Sequence, residues 1–280
     1  QAGLAFNRQK PERRFIGMWW LYGYYALLLG GLATMLLDGF GRVASVVYYA
    51  GMPLGALAVW RLSGRRIRAL GWPAGAGTLR DGLWGAAGAA AAVGAVYAVL
   101  TAAGWAALGE PRPAFGRFLL VLGGQQVLVA GVEELAFRGV IQALLIDRLG
   151  PARGLGAAAG LFGLFHLPNL IYQEVPAGLI PVALLNLSVM GAVFGAAFER
   201  AGRRLALPFA LHFGWNLAAY SFEDGFRLRL GGPAGIAGDP AWFPETGFAA
   251  LLGLALAGAV AWALTGARRQ EDLGQDKRFA

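Results

Sequence analysis

The sequence predicts an all-α, polytopic membrane protein built as a bundle of eight transmembrane helices. Of its 280 residues, 57% are apolar and 14% are charged, and the mean hydropathy is +0.53. A soluble domain typically has about 45–50% apolar and about 25% charged residues, so this chain has too few charges for one. The apolar residues form runs long enough to cross a bilayer, without the two-residue alternation of a membrane β-barrel.

Eight apolar runs approach the roughly 20 residues that a helix needs to cross the hydrocarbon core. Backbone groups there must be satisfied within each segment, which favours helices. We expect one transmembrane domain over residues 1–280, with a core at about 118–222 (spans 4 to 7), peripheral spans within 15–108 and 247–264, and tails at 1–14 and 265–280. In chain order the predicted spans are Phe15–Leu37, Val43–Trp60, Leu83–Leu108, Phe118–Leu145, Gly154–Ile171, Ala177–Phe198, Leu205–Phe222 and Gly247–Leu264.

The basic residues predict the orientation of this bundle. Eighteen of the 24 Lys and Arg residues lie in the two tails and in the segments that follow spans 2, 4 and 6. Because segments rich in Lys and Arg stay in the cytoplasm, both termini and both tails are expected there. The segment from Glu223 to Thr246, rich in Gly and Pro, is then an irregular loop on the outside. Five basic residues share that side: Arg42, Arg112, Arg117, Arg227 and Arg229.

Composition also limits the partners and the location. The net charge is +8 and the chain has no Cys, which excludes disulfides and thiolate chemistry. The basic residues are spread over several loops, not gathered on one soluble face, so no nucleic acid is expected. Membrane lipids are the expected partners of the basic loops. The Ala- and Arg-rich, Lys-poor composition indicates a prokaryotic protein, integral to the inner (plasma) membrane.

Five ionisable residues lie inside the predicted spans: Glu133, Glu134, Arg138, His166 and His212, which include both histidines of the chain. A charge near the bilayer centre costs at least about 2.5–3.5 kcal/mol, so such residues usually face a bundle interior or a water-filled cavity and mark function. Counted from the span ends at 1.5 Å per residue, they lie at similar depth. We expect one cavity that holds them and opens to the cytoplasmic side.

Helical spacing predicts which of these side chains face one another. Glu134 and Arg138 are four residues apart, so they are expected to pair. Glu133 points about 100° away from Glu134 around the helix and is left to face another group. His212 and Asn216 are also four residues apart, on one face of span 7.

Two kinds of chemistry suit these residue types. A desolvated carboxylate beside an imidazole can activate a water, while a second imidazole and an amide can donate to a developing oxyanion. Alternatively, Glu133, His166 and His212 would form the one-carboxylate, two-imidazole ligand set of a catalytic zinc. The chain has no His-Glu-x-x-His run, the usual sequence signal for such a zinc. The residues alone leave both mechanisms open.

Three ordered motifs resemble the CAAX protease and bacteriocin-processing (CPBP, or Abi) family of intramembrane proteases, which includes the Ras-converting CAAX endopeptidase. The resemblance implies a hydrolase whose catalytic core is residues 118–222. It implies that Glu133 and His166 activate the attacking water, that His212 and Asn216 form the oxyanion hole, and that Glu134 and Arg138 hold the site in shape. The motifs lie between about Gly131 and Asn216: Glu133-Glu134-x-x-x-Arg138, Phe162-x-x-x-His166 and His212-x-x-x-Asn216.

The resemblance also implies a function. We expect an endopeptidase acting on a membrane-associated peptide or lipidated protein that enters from the cytoplasmic side or laterally. A prenylated CAAX-like C-terminus is one candidate, although prokaryotes are not expected to make such substrates. The family is often labelled metalloprotease, but water activation by Glu and His requires no cofactor, and zinc stays the alternative. The rival interpretations are a non-proteolytic bacteriocin-immunity or scaffold protein, and a proton-coupled transporter, against which no inverted repeat is evident.

Overall fold

The computed structural model describes residues 11–34, 36, 41–66, 70–71 and 76–276, and these are mostly helical. Short π-helical segments at Val47–Gly51, Leu135–Gln142 and Ser221–Gly225 join or extend several helices. In chain order the α-helices are α1 (Pro11–Ala33), α2 (Arg42–Val46), α3 (Met52–Leu62), α4 (Ala76–Ala102), α5 (Phe115–Glu134), α6 (Ala143–Leu149), α7 (Pro151–Phe165), α8 (Leu167–Tyr172), α9 (Ile180–Arg200), α10 (Ala206–Tyr220), α11 (Ala234–Ala237) and α12 (Ala250–Asp276).

Five helical stretches of the described chain are long and apolar enough to cross a membrane, and they overlap predicted spans 2 to 6. The helices over predicted spans 1, 7 and 8 are α1, α10 and α12, and the apolar part of α12 is short, at Ala250–Gly266. The structure is thus helical with five candidate spans, and the count of eight stays a prediction. The five stretches are Val43–Leu62, Thr78–Ala102, Phe115–Leu149, Pro151–Tyr172 and Ile180–Arg200.

Both predicted tails overlap helices of the structure. Helix α1 already begins at Pro11, inside the predicted tail 1–14. Helix α12 continues to Asp276, so most of the predicted tail 265–280 is helical. Residues 1–10 and 277–280, and part of the end of predicted span 1, lie outside the described residues.

Glycines bring the central helices into close contact. A Cβ on Gly214 of α10 would lie 2.6 Å from Cα of Ala86 in α4, so only glycine fits there. A Cβ on Gly191 of α9 would lie 3.0 Å from Cα of Ala159 in α7. Small residues of this kind let helix backbones approach closely in lipid. The contacts fix α10 and α7, which carry His212 and lead into His166, relative to their neighbours.

One end of the bundle, called here the arginine-rich end, is where the connections after α3, α6 and α9 meet. Asp147 forms ion pairs there with Arg65 and, at 3.4 Å, with Arg203. Arg203 also pairs with Glu199 at 3.1 Å. Exposed ion pairs of this sort contribute little stability, but they show that three separate connections lie side by side.

The opposite end, called here the strand end, is where α5 begins. Strands β1 (Ala106–Ala107) and β2 (Arg229–Leu230) pair antiparallel there. The segment from Glu223 to Thr246, expected as an irregular loop, also contains α11 and a short 3₁₀ turn. The Asn186 amide of α9 donates to the backbone carbonyls of Glu245, at 2.7 Å, and of Gly247, at 2.8 Å. These bonds fasten the segment against the bundle.

Candidate active site

A buried ion pair follows the end of α5. The Arg138 Nε lies 3.1 Å from Glu134 Oε2, and both side chains are almost fully buried. The guanidinium lies 4.3 Å from the ring centroid of Phe162 and 5.6 Å from that of Phe194. Breaking such a buried pair would leave an uncompensated charge, so it holds this part of the helix in place.

The second oxygen of Glu134 orients a histidine. Nδ1 of His212 lies 2.8 Å from Glu134 Oε1, so the carboxylate bridges the guanidinium and the imidazole. A carboxylate accepts hydrogen bonds, and Nδ1 of His212 therefore carries a proton. This bond turns Nε2 of His212 toward Glu133, whose Oε2 lies 3.8 Å away.

Glu133 is held at one oxygen and open at the other. The Tyr48 hydroxyl donates to Glu133 Oε1 at 2.5 Å. Glu133 Oε2 is buried, and no side chain or backbone group of the described residues forms a hydrogen bond with it. It lies 3.8 Å from Nε2 of His166 and 3.8 Å from Nε2 of His212. Polar atoms at this separation are typically bridged by a water. The three atoms therefore face a common gap.

His166 lies at a break between two helices. Pro168 lacks a backbone N–H, so it does not continue the hydrogen-bond ladder, and α7 ends at Phe165, as the sequence predicts. Nδ1 of His166 lies 2.8 Å from the carbonyl oxygen of Phe162. A carbonyl can only accept, so Nδ1 carries the proton and Nε2 presents its lone pair to the gap.

Four of the predicted site residues line one cavity of 390 Å³: Glu133, His166, His212 and Asn216. Asn216 lies one helical turn after His212, and its amide donates to Gln126 Oε1 at 2.9 Å. Glu134 and Arg138 are not among the described lining residues and lie behind the wall. The structure thus brings all six predicted residues together, in two layers.

The cavity extends from Glu133 toward the strand end. Its lining follows α5 back to Phe118 and continues past α10 to Asp224. In the other direction the helix is packed solid, since every residue from Ala136 to Ile146 is buried. The sequence analysis expected the cavity to open on the side of the basic loops. The described lining runs toward the strand end, away from the arginine-rich end, and the side of the membrane to which it opens stays a prediction.

Comparison with protein families matches residues 115–218 to the family described as "Rce1-like: Type II CAAX prenyl endopeptidase Rce1-like". Residues 115–218 form an Rce1-like domain. No match was found among curated proteins or among solved structures. The matched family is one of proteases, and thus of hydrolases. Together with five apolar helices, it makes the chain an integral membrane protein.

Two polar residues at the site were not predicted. Gln126 belongs to the Rce1-like domain and lies seven residues before Glu133, on the same face of α5. A polar residue at this place in an apolar run is a sequence signal that could have identified it as a site residue. Tyr48 lies outside the Rce1-like domain, in the π-helical turn Val47–Gly51. π-Helical turns are frequent at functional sites, but no sequence feature distinguishes Tyr48 from Tyr49 next to it.

Three carboxylates line the strand end of the cavity, beyond the Rce1-like domain: those of Glu223, Asp224 and Glu245. Burial raises the pKa of Glu245 to about 7, while the Trp215 indole N–H, which donates to its Oε1 at 2.5 Å, opposes that rise. Burial, together with the neighbouring carboxylates of Asp224, Glu245 and Asp239, raises the pKa of Glu223 to about 9. None of the described residues that line the cavity is Lys or Arg. The described wall is therefore rich in carboxylates. Glu223 and Asp224 also line a second pocket together with Arg112 and Arg227.

In the alternative mechanism, Glu133, His166 and His212 would be the ligands of a catalytic zinc. In the described part of the chain, no group of three His, Asp or Glu side chains is arranged to hold a metal ion. The ligand atoms of a tetrahedral zinc with 2.1 Å bonds would lie about 3.4 Å apart, whereas Glu133 Oε2 lies 3.8 Å from each ring nitrogen. The described residues therefore do not fit a tetrahedral zinc.

Proposed function

We propose that the protein is an intramembrane endopeptidase that hydrolyses a peptide bond of a membrane-associated substrate. The supporting observation is the open oxygen of Glu133, buried at the base of a cavity and facing two ring nitrogens. A buried polar atom without a partner costs free energy, so its presence in a folded protein indicates a bound water or a catalytic role. In a domain that matches a protease family, activation of water would be such a role.

The attacking water would lie in the gap between Glu133 and His166. It can donate one hydrogen to Glu133 Oε2 and the other to the lone pair on Nε2 of His166. Its own lone pair then points at the substrate carbonyl carbon. As the new C–O bond forms, Glu133 takes the proton of the water, and it returns that proton to the leaving amine when the C–N bond breaks.

His212 and Asn216 would stabilise the oxyanion. One amide hydrogen of Asn216 bonds to Gln126, and the second is left for the oxyanion. His212 can donate from Nε2 only when it carries both ring protons, because Nδ1–H already faces Glu134. The buried cluster has two carboxylates and one guanidinium, so a second proton on His212 would balance its charge.

The experiment compares cleavage of a fluorogenic peptide tethered to liposomes by four proteins. We expect Glu133→Gln and His166→Ala to lose at least ~100-fold in kcat, the usual contribution of a general base. Glu174→Gln is the matched control, because Glu174 is exposed and does not line the cavity. Unchanged activity in either site variant would overturn the assignment. No cleavage by the wild type would favour the immunity or scaffold interpretation.

Two further measurements test which substrate is preferred and whether a metal is needed. The family description indicates a prenylated C-terminus, so the peptide is offered with and without a farnesyl group. A preference for the farnesylated peptide supports CAAX-like specificity, and equal rates support a broader peptidase. A strong chelator is expected to leave the activity intact. Loss of activity that zinc restores would overturn water activation without a metal.

A further inference from the structure

The cavity has a direction relative to the ends of the bundle. From Glu133 the described lining continues toward the strand end, to Phe118, Gln173 and Asp224. Gln173 and Asp224 are exposed, so the cavity reaches the surface there. Toward the opposite end, every residue from Ala136 to Ile146 is buried, and none of them lines the cavity. A substrate can therefore reach the gap from the strand end.

The basic residues mark the other end. Arg65, Asp147 and Arg203 come together at the arginine-rich end, where the connections after α3, α6 and α9 lie. The segments that join there, with the two tails, hold 18 of the 24 Lys and Arg residues. Such segments stay in the cytoplasm, and this bias sets the orientation of membrane proteins.

We propose that the cavity opens to the extracytoplasmic side of the membrane, and that its substrate is an exported, membrane-anchored peptide. This deepens the proposed function and rests on it for the cleavage step. The inference follows from two independent observations, the direction of the cavity in the structure and the distribution of Lys and Arg in the sequence. A prenylated C-terminus displayed at the cytoplasmic surface would face the closed end.

The mouth of the cavity suits a peptide that lies at the membrane surface. Tyr49 and Tyr172 line it, and both are partly exposed. Tyrosine is enriched at membrane–water interfaces, where its ring lies in the apolar layer and its hydroxyl meets water. Val121 and Gln125, also exposed, continue the lining along α5. A peptide held by an anchor in the outer leaflet would reach Glu133 along this wall.

The absence of Cys from the sequence makes the direction directly measurable. A single Cys is introduced at Gln173, at the mouth, or at Ala152, an exposed residue at the arginine-rich end. The full chain is expressed in a Gram-negative host and treated with a membrane-impermeant maleimide, in spheroplasts and in inverted vesicles. Labelling in detergent provides the reference for full reaction.

We expect Gln173→Cys to label in spheroplasts and Ala152→Cys to label only in inverted vesicles. The reverse pattern, or labelling of both from both sides, would overturn the proposal. Labelling of Gln173→Cys from neither side would also overturn it, since the mouth would then be closed.

Cleavage is then tested with a lipid-anchored peptide added outside spheroplasts, with His166→Ala as the inactive control. Cleavage by the wild type supports the extracytoplasmic substrate. Cleavage only in inverted vesicles would overturn it. Labelling does not depend on activity, so the two tests are separate. If the labelling pattern is as expected but no peptide is cleaved on either side, the proposed function is refuted, while the direction of the cavity is established.

Discussion

Replacing Tyr48 by Phe removes the hydroxyl that donates to Glu133 Oε1 at 2.5 Å. The ring is buried and lies 6.4 Å from that of Phe165, and Phe keeps that contact. A hydrogen bond to a charged group is worth about 1.5–3 kcal/mol. If that bond fixes the carboxylate so that Oε2 faces the gap, its loss lowers kcat by roughly 10- to 150-fold.

The matched control is Tyr24→Phe. The Tyr24 hydroxyl donates to the backbone carbonyl of Met52 at 2.6 Å, and the side chain is similarly buried, at 6% exposed against 8% for Tyr48. Both variants lose one buried hydrogen bond, so similar losses in thermal stability are expected. Cleavage of the tethered peptide should fall in kcat only for Tyr48→Phe, with KM changed by less than about threefold, because substrate binding is retained.

Equal kcat values for Tyr48→Phe and the wild type would refute the reasoning. So would a loss of activity in Tyr24→Phe as large as that in Tyr48→Phe, because the effect would then follow stability and not the position of Glu133. A rise in KM at constant kcat would place Tyr48 in substrate binding instead.

Two further predictions concern stability in detergent. Arg138→Met leaves Glu134 buried without its cation and should cost ~3–5 kcal/mol of unfolding free energy. Arg203→Met, at the exposed pair with Glu199, should cost at most about 1 kcal/mol. Equal losses of unfolding free energy in the two variants would contradict the stabilising role of the buried pair. The pKa of Glu223 is raised from 4.5 to about 9, so the folded state keeps a proton that the unfolded chain releases, and wild-type stability falls as pH rises through this window. Glu223→Gln should therefore gain in melting temperature over the wild type between pH 5.5 and pH 8.5, and a pH-independent difference would contradict this.

Much of the site could be predicted because two of its determinants can be read from the sequence alone. These are the spacing of residues along a helix and the free-energy cost of placing a charge in the membrane. Glu134 and Arg138 pair across one turn because four residues bring their side chains to one face. His166 marks a helix break because Pro168 lacks a donor. Glu133 could be expected to meet the histidines because buried charge in a membrane needs a partner or a cavity. Each of these inferences needs only the chain itself.

The direction of the cavity could not be predicted from depth. Residues near the middle of a span are about equally far from both ends, so the same rise per residue fits an opening on either side. Packing decides between them, through the buried run from Ala136 to Ile146 and the segment 226–249. Asn186 holds that segment through backbone carbonyls, and no side-chain pattern in a Gly- and Pro-rich loop indicates such bonds.

The Rce1-like domain contains the proposed acids and bases, and residues outside the domain form hydrogen bonds with residues inside it. Tyr48 precedes the domain and donates to Glu133, and Glu245 follows it and accepts from Trp215. The turn that carries Tyr48 is joined to α3, and α3 is tied to α1 through the Tyr24 hydroxyl. The angle of the Glu133 carboxylate therefore depends on how the first helices pack against α5. A change in that packing would alter catalysis while leaving every residue of the three motifs in place.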